Sequence, residues 1–146
     1  MKKTVLFVCT HNSARSQMAE AFLRHFYGQD YEALSAGTEP RGVHPLTFRV
    51  MTEAGIDISS QRSKSVEEFL NREIDLVVTV CDSAKESCPF FPYGKKRLHQ
   101  SFADPATAQG SEEEGLRVFR RIRDEIRDWV KEFFDPSREP EGRPFS

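Results

Sequence analysis

Cys9 and Arg15 stand six positions apart in the run Val5–Ser16, VLFVCTHNSARS, and they are the two residues here best suited to chemistry. The segment before Cys9 is apolar and β-rich, so it delivers one thiol into a short polar loop that an arginine closes. Backbone N–H groups at a helix start, together with a guanidinium, suit an anion with several oxygens. The same positive field favours the thiolate, the nucleophilic form of cysteine. Thr10, His11, Asn12, Ser13, Ala14, Arg15 and Ser16 are the residues expected to surround the anion. Ser16 can hydrogen-bond the sulfur, Asn12 tolerates a left-handed backbone, and His11 is a loop residue because a thiolate needs no base. A core cysteine beside a solvated arginine would show the same two letters. The strand before, the helix after and the polar loop between them favour the cradle.

Cys81 and Cys88 form a second constellation. No further Cys or His pair completes a tetrahedral zinc site with them, and His99 reads as a strand or surface residue. They are either buried thiols or a redox couple, and a disulfide needs Cα atoms within about 7 Å. The polar segment Asp82–Ser87 between them reads as a short helix, so closing the pair would require it to rearrange. Asp104-Pro105 is either a simple turn or a carboxylic acid placed to protonate a departing oxygen.

The elements that must position these groups follow from periodicity. Thr4–Val8, Tyr31–Ala36, Asp75–Val80 and Arg97–Phe102 read as strands, the first as one buried on both faces. Helices are expected from about Ala14 to Tyr27, from Pro45 to Ala54, over Val66–Asn71 with Ser65 as N-cap, and over Glu112–Phe134. The last carries Leu116, Phe119, Ile122, Ile126, Trp129, Val130 and Phe133 on one stripe. This order implies an α/β fold, a central four-stranded parallel sheet flanked by helices on both faces. Ligands of such sheets bind beyond the C-terminal strand ends, where Cys9 and Cys81 both fall.

The chain of 146 residues is read as one domain over 1–146, with 135–146, including an exposed Phe145, as a surface tail. A formal net charge of −2 gives no footprint for nucleic acid, and Lys95, Lys96 and Arg97 read as a solvated loop. No run is long and apolar enough to span a membrane, and Met1-Lys2-Lys3 leads into a strand rather than a signal peptide. A cytoplasmic location is expected. Three cysteines there suit catalysis better than structural disulfides. Nothing demands an oligomer, so a monomer is expected.

Three segments, in order, resemble the thioredoxin-coupled arsenate reductases, which share the fold of low-molecular-weight protein tyrosine phosphatases. They are Cys9–Ser16, Val77–Cys81 with Cys88-Pro89, and Phe102–Pro105; Gly55–Ser59 matches as well. The resemblance implies reduction of arsenate to arsenite for detoxification. Cys9 attacks arsenic, Arg15 holds the oxyanion and Asp104 assists loss of water. Cys81 then attacks Cys9, and Cys88 attacks Cys81 to leave a Cys81–Cys88 disulfide. Reduced thioredoxin is the implied electron donor, and no bound cofactor or metal is implied for this chain. Several members of that family bind potassium. Glu20 and Ser35 match two of its ligands, but Arg62 and Lys64 stand at the other two positions, so the Lys64 ammonium is expected to replace the ion. The competing expectation is a tyrosine phosphatase using Cys9, Arg15 and Asp104 alone. Ala106 and Thr107 follow the Asp-Pro pair, where that family usually carries a glycine-containing loop and tyrosines.

Overall fold

The structure is a computed structural model and describes residues 2–137. Of the tail expected over 135–146, the part from 138 onward, with Phe145, lies outside the described residues.

The first strand, β1 (Lys3–Cys9), sits at the centre because Val5–Cys9 is apolar at every position and is buried throughout. It pairs in parallel with β2 (Tyr31–Gly37) on one side and β3 (Ile74–Thr79) on the other. The fourth strand, β4 (Gly94–His99), adds in parallel to β3, giving the order β2-β1-β3-β4. Helices α1 (Arg15–Tyr27), α2 (Pro45–Glu53), α3 (Asp82–Ser87) and α4 (Glu112–Phe133) cover the two faces of this sheet.

α1 buries Met18, Ala19, Phe22 and Leu23 and packs on β1, β2 and α4. α2 starts where Pro45 supplies a fixed φ, and His44 caps it by accepting from the Leu46 N–H at 3.0 Å. α4 begins on Ser111, whose hydroxyl accepts from the Glu114 N–H, with three glutamates in the favourable first turn. Its stripe buries Leu116, Phe119, Ile122, Ile126 and Val130. That burial is worth on the order of 10 kcal/mol before conformational entropy is subtracted. Trp129 and Phe134 meet the Phe7 ring edge-on at 6.3 and 5.9 Å, and Trp129 also meets Phe102 at 5.8 Å. Through Phe102 the long helix thus supports the segment that carries Asp104.

Two expectations are corrected. The last strand is Gly94–His99 rather than Arg97–Phe102, and Lys95, Lys96 and Arg97 belong to it rather than to a loop. An edge strand leaves one side open to water, so these side chains stay exposed and no apolar run marks the element. Beyond His99, the Gln100 and Phe102 N–H groups still bond the Thr79 and Val80 carbonyls, carrying the chain toward the cradle. The helix expected over Val66–Asn71 is a single 3-10 turn, Val66–Phe69. Only Val66 and Phe69 are buried there, and an i, i+3 pair suits the tighter turn.

Candidate active site

β1 ends by placing Cys9 beneath the loop that leads into α1. The sulfur lies 2.9 Å from Ser16 Oγ and accepts the Asn12 backbone N–H at 3.2 Å. That geometry requires φ of 50° at Asn12, the left-handed conformation that Asn tolerates. Asn12 is fully buried and satisfied on every side. Its Nδ2 donates to Ser16 Oγ at 2.7 Å and to Ser35 Oγ at 3.0 Å, and its Oδ1 accepts from the Lys64 N–H at 2.8 Å. Ala14 offers no side-chain cap to α1, so its first amides remain available to a ligand.

The loop is held from both sides. Thr38, Glu39, Arg41 and His44 N–H groups bond the carbonyls of Cys9, Thr10, His11 and Ser13 in turn. Thr47 Oγ1 donates to Ser13 O at 2.8 Å and Ser63 Oγ to His11 O at 3.0 Å. Three supports are visible only in the folded chain. Gln17, fully buried, donates from Nε2 to Asn12 O and Arg62 O, and Gln61 Nε2 donates to Gln17 Oε1 at 2.7 Å. At Gly37 a Cβ would stand 2.6 Å from Thr10 O and 2.9 Å from Asn12 N, so the loop lies directly on its backbone. In sequence Gly37 looks like a strand terminator, and Gln17 carries no signal at all.

Arg15 lies over the mouth. Its Nη1 donates to Phe102 O at 3.1 Å, and Nη2 stands 3.6 Å from Asp104 Oδ2. Asp104 in turn accepts the Ala106 N–H and caps the 3-10 turn Pro105–Thr107. Thr10 Oγ1 lies 3.5 Å from Cys81 Sγ, which joins the two thiol segments. A cavity of about 450 Å³ opens here, lined by Thr10, His11, Arg15, Cys81 and Asp104 among others. A second cavity, of about 550 Å³, is lined by Lys2, Lys3, Arg72, Asp75 and Lys95 toward the strand beginnings and carries no thiol.

The three cysteines are free thiols and all are buried. Cys81 follows β3 at the edge of the cavity and acts as N-cap of α3, accepting the Ala84 N–H at 3.4 Å. Cys88 closes the far end of that helix. The helix rise puts them about 10 Å apart along its axis, beyond disulfide reach. Cys9 feels an influence that the sequence did not show. Burial pushes its thiol up, against the Ser16 hydrogen bonds and the Arg15 charge, and Cys81 adds to the rise. The sequence showed the positive partners but not that the sulfur would be only 2 % exposed.

A buried acidic group lies behind the cradle. Ser35 Oγ donates to Glu20 Oε1 at 2.6 Å and Arg24 donates to Oε2 at 2.6 Å. Lys64 Nζ stands 3.6 Å from Glu20 Oε1 and donates to Arg62 O at 2.8 Å. Burial draws the Lys64 ammonium down and Glu20 opposes it. Among the described residues no group of His, Cys, Asp and Glu is arranged to hold a metal ion.

A strand-end cysteine, an arginine at a helix start and an aspartate on a loop above them, set on this parallel sheet, define a phosphatase-type oxyanion site. Residues 4–139 match the family model of the low molecular weight phosphotyrosine protein phosphatases, and the chain belongs to that family. Within it, arsenate reductases are among the proteins this chain resembles in sequence. One from Halalkalibacterium halodurans is 47 % identical over 132 residues, 90 % of this chain and 95 % of that protein. The solved structure of an arsenate reductase in the phosphate binding state superposes with a TM-score of 0.75. It is 33 % identical over 88 % of this chain and 94 % of its own. A thioredoxin-dependent arsenate reductase of Corynebacterium glutamicum reaches 0.64 at 30 % identity, over 89 % of this chain and 61 % of its own. No helix among the described residues is long and apolar enough to cross a membrane.

Proposed function

We propose that this protein reduces arsenate to arsenite by passing a disulfide along Cys9, Cys81 and Cys88, with reduced thioredoxin restoring the thiols. The observation that carries this reading is the second thiol pair. Cys81 reaches the cradle beside Thr10, and Cys88 waits at the other end of a six-residue helix. A phosphatase needs only Cys9, Arg15 and Asp104.

The oxyanion binds against the loop amides and Arg15. The buried Cys9 thiol gives up its proton to an oxygen of the arriving arsenate dianion, and the thiolate attacks arsenic. Asp104, at the mouth, supplies a proton to the departing oxygen, which leaves as water. Cys81 thiolate then attacks Cys9 Sγ. The new S–S bond takes the place of the S–As bond, whose electron pair stays on arsenic and reduces it to arsenite. Cys88 attacks Cys81, Cys9 leaves as thiolate, and a dithiol donor of the thioredoxin type reduces the Cys81–Cys88 bond. Lys64 and Arg24 supply positive charge beside Glu20, so the reaction runs without potassium. The protein works in the cytoplasm as a monomer.

The test is arsenate-dependent NADPH oxidation with thioredoxin and thioredoxin reductase. Native protein is expected to turn over, and Cys9→Ser, Cys81→Ser and Cys88→Ser are expected not to. Cys81→Ser retains slow hydrolysis of p-nitrophenyl phosphate, because phosphate and arsenate share shape and charge. Turnover that survives Cys88→Ser unchanged would overturn the relay.

A further inference from the structure

β4 is an edge strand, and its alternate residues Arg97 and His99 share one face. Both reach α3, from opposite ends. His99 Nε2 lies 3.0 Å from Asp82 Oδ1 at the first helical residue, and His99 Nδ1 lies 2.7 Å from Thr79 Oγ1 on β3. Arg97 reaches the other end. Its Nη2 donates to the carbonyls of Lys85 and Cys88, and its Nη1 to that of Pro89, each at 3.4 Å. These carbonyls belong to the last turn of α3 and the residues after it, where a helix leaves acceptors unpaired and favours a cation.

We propose that Arg97 is the positioning residue of the second disulfide exchange: with His99 it clamps α3 to the sheet at both ends, and its charge prepares Cys88 to attack Cys81. The proposal rests on the three-thiol reading above. In that exchange the Cys88 proton passes to solvent and its thiolate attacks Cys81 Sγ. The Cys81–Cys88 bond forms as Cys9–Cys81 breaks, and the departing Cys9 thiolate takes up a proton, so no external oxidant is needed. The attack speeds up as the thiolate fraction rises, with part of the gain offset because a lower-pKa thiolate is a weaker nucleophile. Burial pushes the Cys88 thiol up, and Arg97 is the charge that opposes it. On its own segment the neighbouring ionisable groups, Lys85 and Glu86, are exposed. The cation is carried by β4, which pairs with β3 and lies outside the segment that must unwind to bring the sulfurs together. His99 serves the other end by holding Asp82, whose carboxyl it keeps below the usual range together with Ser101.

The experiment follows Cys88 in the full-length reduced protein by iodoacetamide labelling against pH, read by peptide mass spectrometry. Hydrogen exchange of residues 82–88 is measured beside it. Arg97→Gln is expected to move the Cys88 labelling midpoint upward, and Arg97→Lys to restore it. In Arg97→Gln and in His99→Gln the amides of α3 should exchange faster. After a single arsenate turnover, Arg97→Gln should convert Cys9–Cys81 to Cys81–Cys88 more slowly, following its loss of Cys88 thiolate, once the rate is corrected for the faster opening of α3 read by hydrogen exchange. Arsenite release in that turnover should stay near native. An unmoved midpoint in Arg97→Gln, even with faster exchange, makes Arg97 an ordinary structural contact and overturns the proposal. So does a midpoint in Arg97→Lys equal to that in Arg97→Gln. Labelling and exchange use no arsenate, so the clamp can fail while arsenate reduction stands, and the reverse.

Discussion

Replacing Ser16 with alanine isolates the electrostatics of the nucleophile. Ser16 Oγ lies 2.9 Å from the Cys9 sulfur, and its hydrogen bonds are among the influences that hold down a thiol which burial pushes up. A hydrogen bond to a charged group is worth about 1.5–3 kcal/mol. Two compensations place Ser16→Ala near the lower end. The Asn12 backbone N–H still reaches the sulfur at 3.2 Å, and Asn12 keeps its orientation through Ser35 and the Lys64 N–H. A loss of about 1.5–2 kcal/mol is a fall of roughly 10- to 30-fold in the rate of Cys9 alkylation at pH 7. Because the thiol is raised in the native protein, the native rate should still be climbing with pH above neutrality. The variant's rise should be displaced to higher pH. Folding should lose about 1–3 kcal/mol as well, since one N–H of the buried Asn12 Nδ2 loses its Ser16 acceptor while the other keeps Ser35. The assay is iodoacetamide labelling of Cys9 by mass spectrometry, with thermal unfolding measured in parallel. A labelling rate within threefold of native, measured well below the variant's own Tm, would refute the assignment of Ser16 as a stabiliser of the thiolate.

Gly37→Ala forces a Cβ to 2.6 Å from Thr10 O, and overpacking of this kind costs about 1–3 kcal/mol. Calorimetry should show Tm lower by roughly 3–10 °C for a domain of this size, and the loop should lose oxyanion binding. Glu53 links α2 to α4 through Arg120 at 2.7 Å and Arg123 at 3.3 Å, and the hydrogen bond and charge of Arg120 hold its carboxyl down to about 2 from 4.5. A depressed carboxyl stabilises above its unfolded value and loses that contribution as pH falls through its folded one. Glu53→Gln should therefore be less stable than native at neutral pH, with the difference closing as pH falls from about 4.5 to 2 in denaturant titrations, which flattens the variant's acid limb. Turnover should be equal in potassium and sodium at one ionic strength, since the Lys64 ammonium is placed beside Glu20. A marked rise in potassium would count against that role.

Much of the fold was legible from one-dimensional pattern. The apolar run ending at Cys9, the stripe from Leu116 to Val130 and the Pro45 helix start are local rules, and the elements formed within a residue or two of their expected ends. Strand β4 was not, because Lys95, Lys96 and Arg97 stay exposed and leave no apolar run over Gly94–His99. In the site, residue types at fixed spacing singled out Cys9, Arg15 and the second thiol pair without any tertiary contact. Their protonation was a different matter. Whether Cys9 is a thiol or a thiolate depends on the water it keeps, and that is set by the loop, α1 and β2 closing around it.

The sequence by itself determined which groups are present and which strand ends carry them, since the order of short apolar runs and helices allows few topologies. Only the tertiary structure decided what those groups feel. It brought Glu20, Ser35 and Lys64 behind Asn12, laid Gly37 against the loop, and set Arg97 and His99 across α3. The physical reason is that type and periodicity are local properties of the chain. Burial, hydrogen-bond satisfaction and charge proximity depend on neighbours tens of residues away.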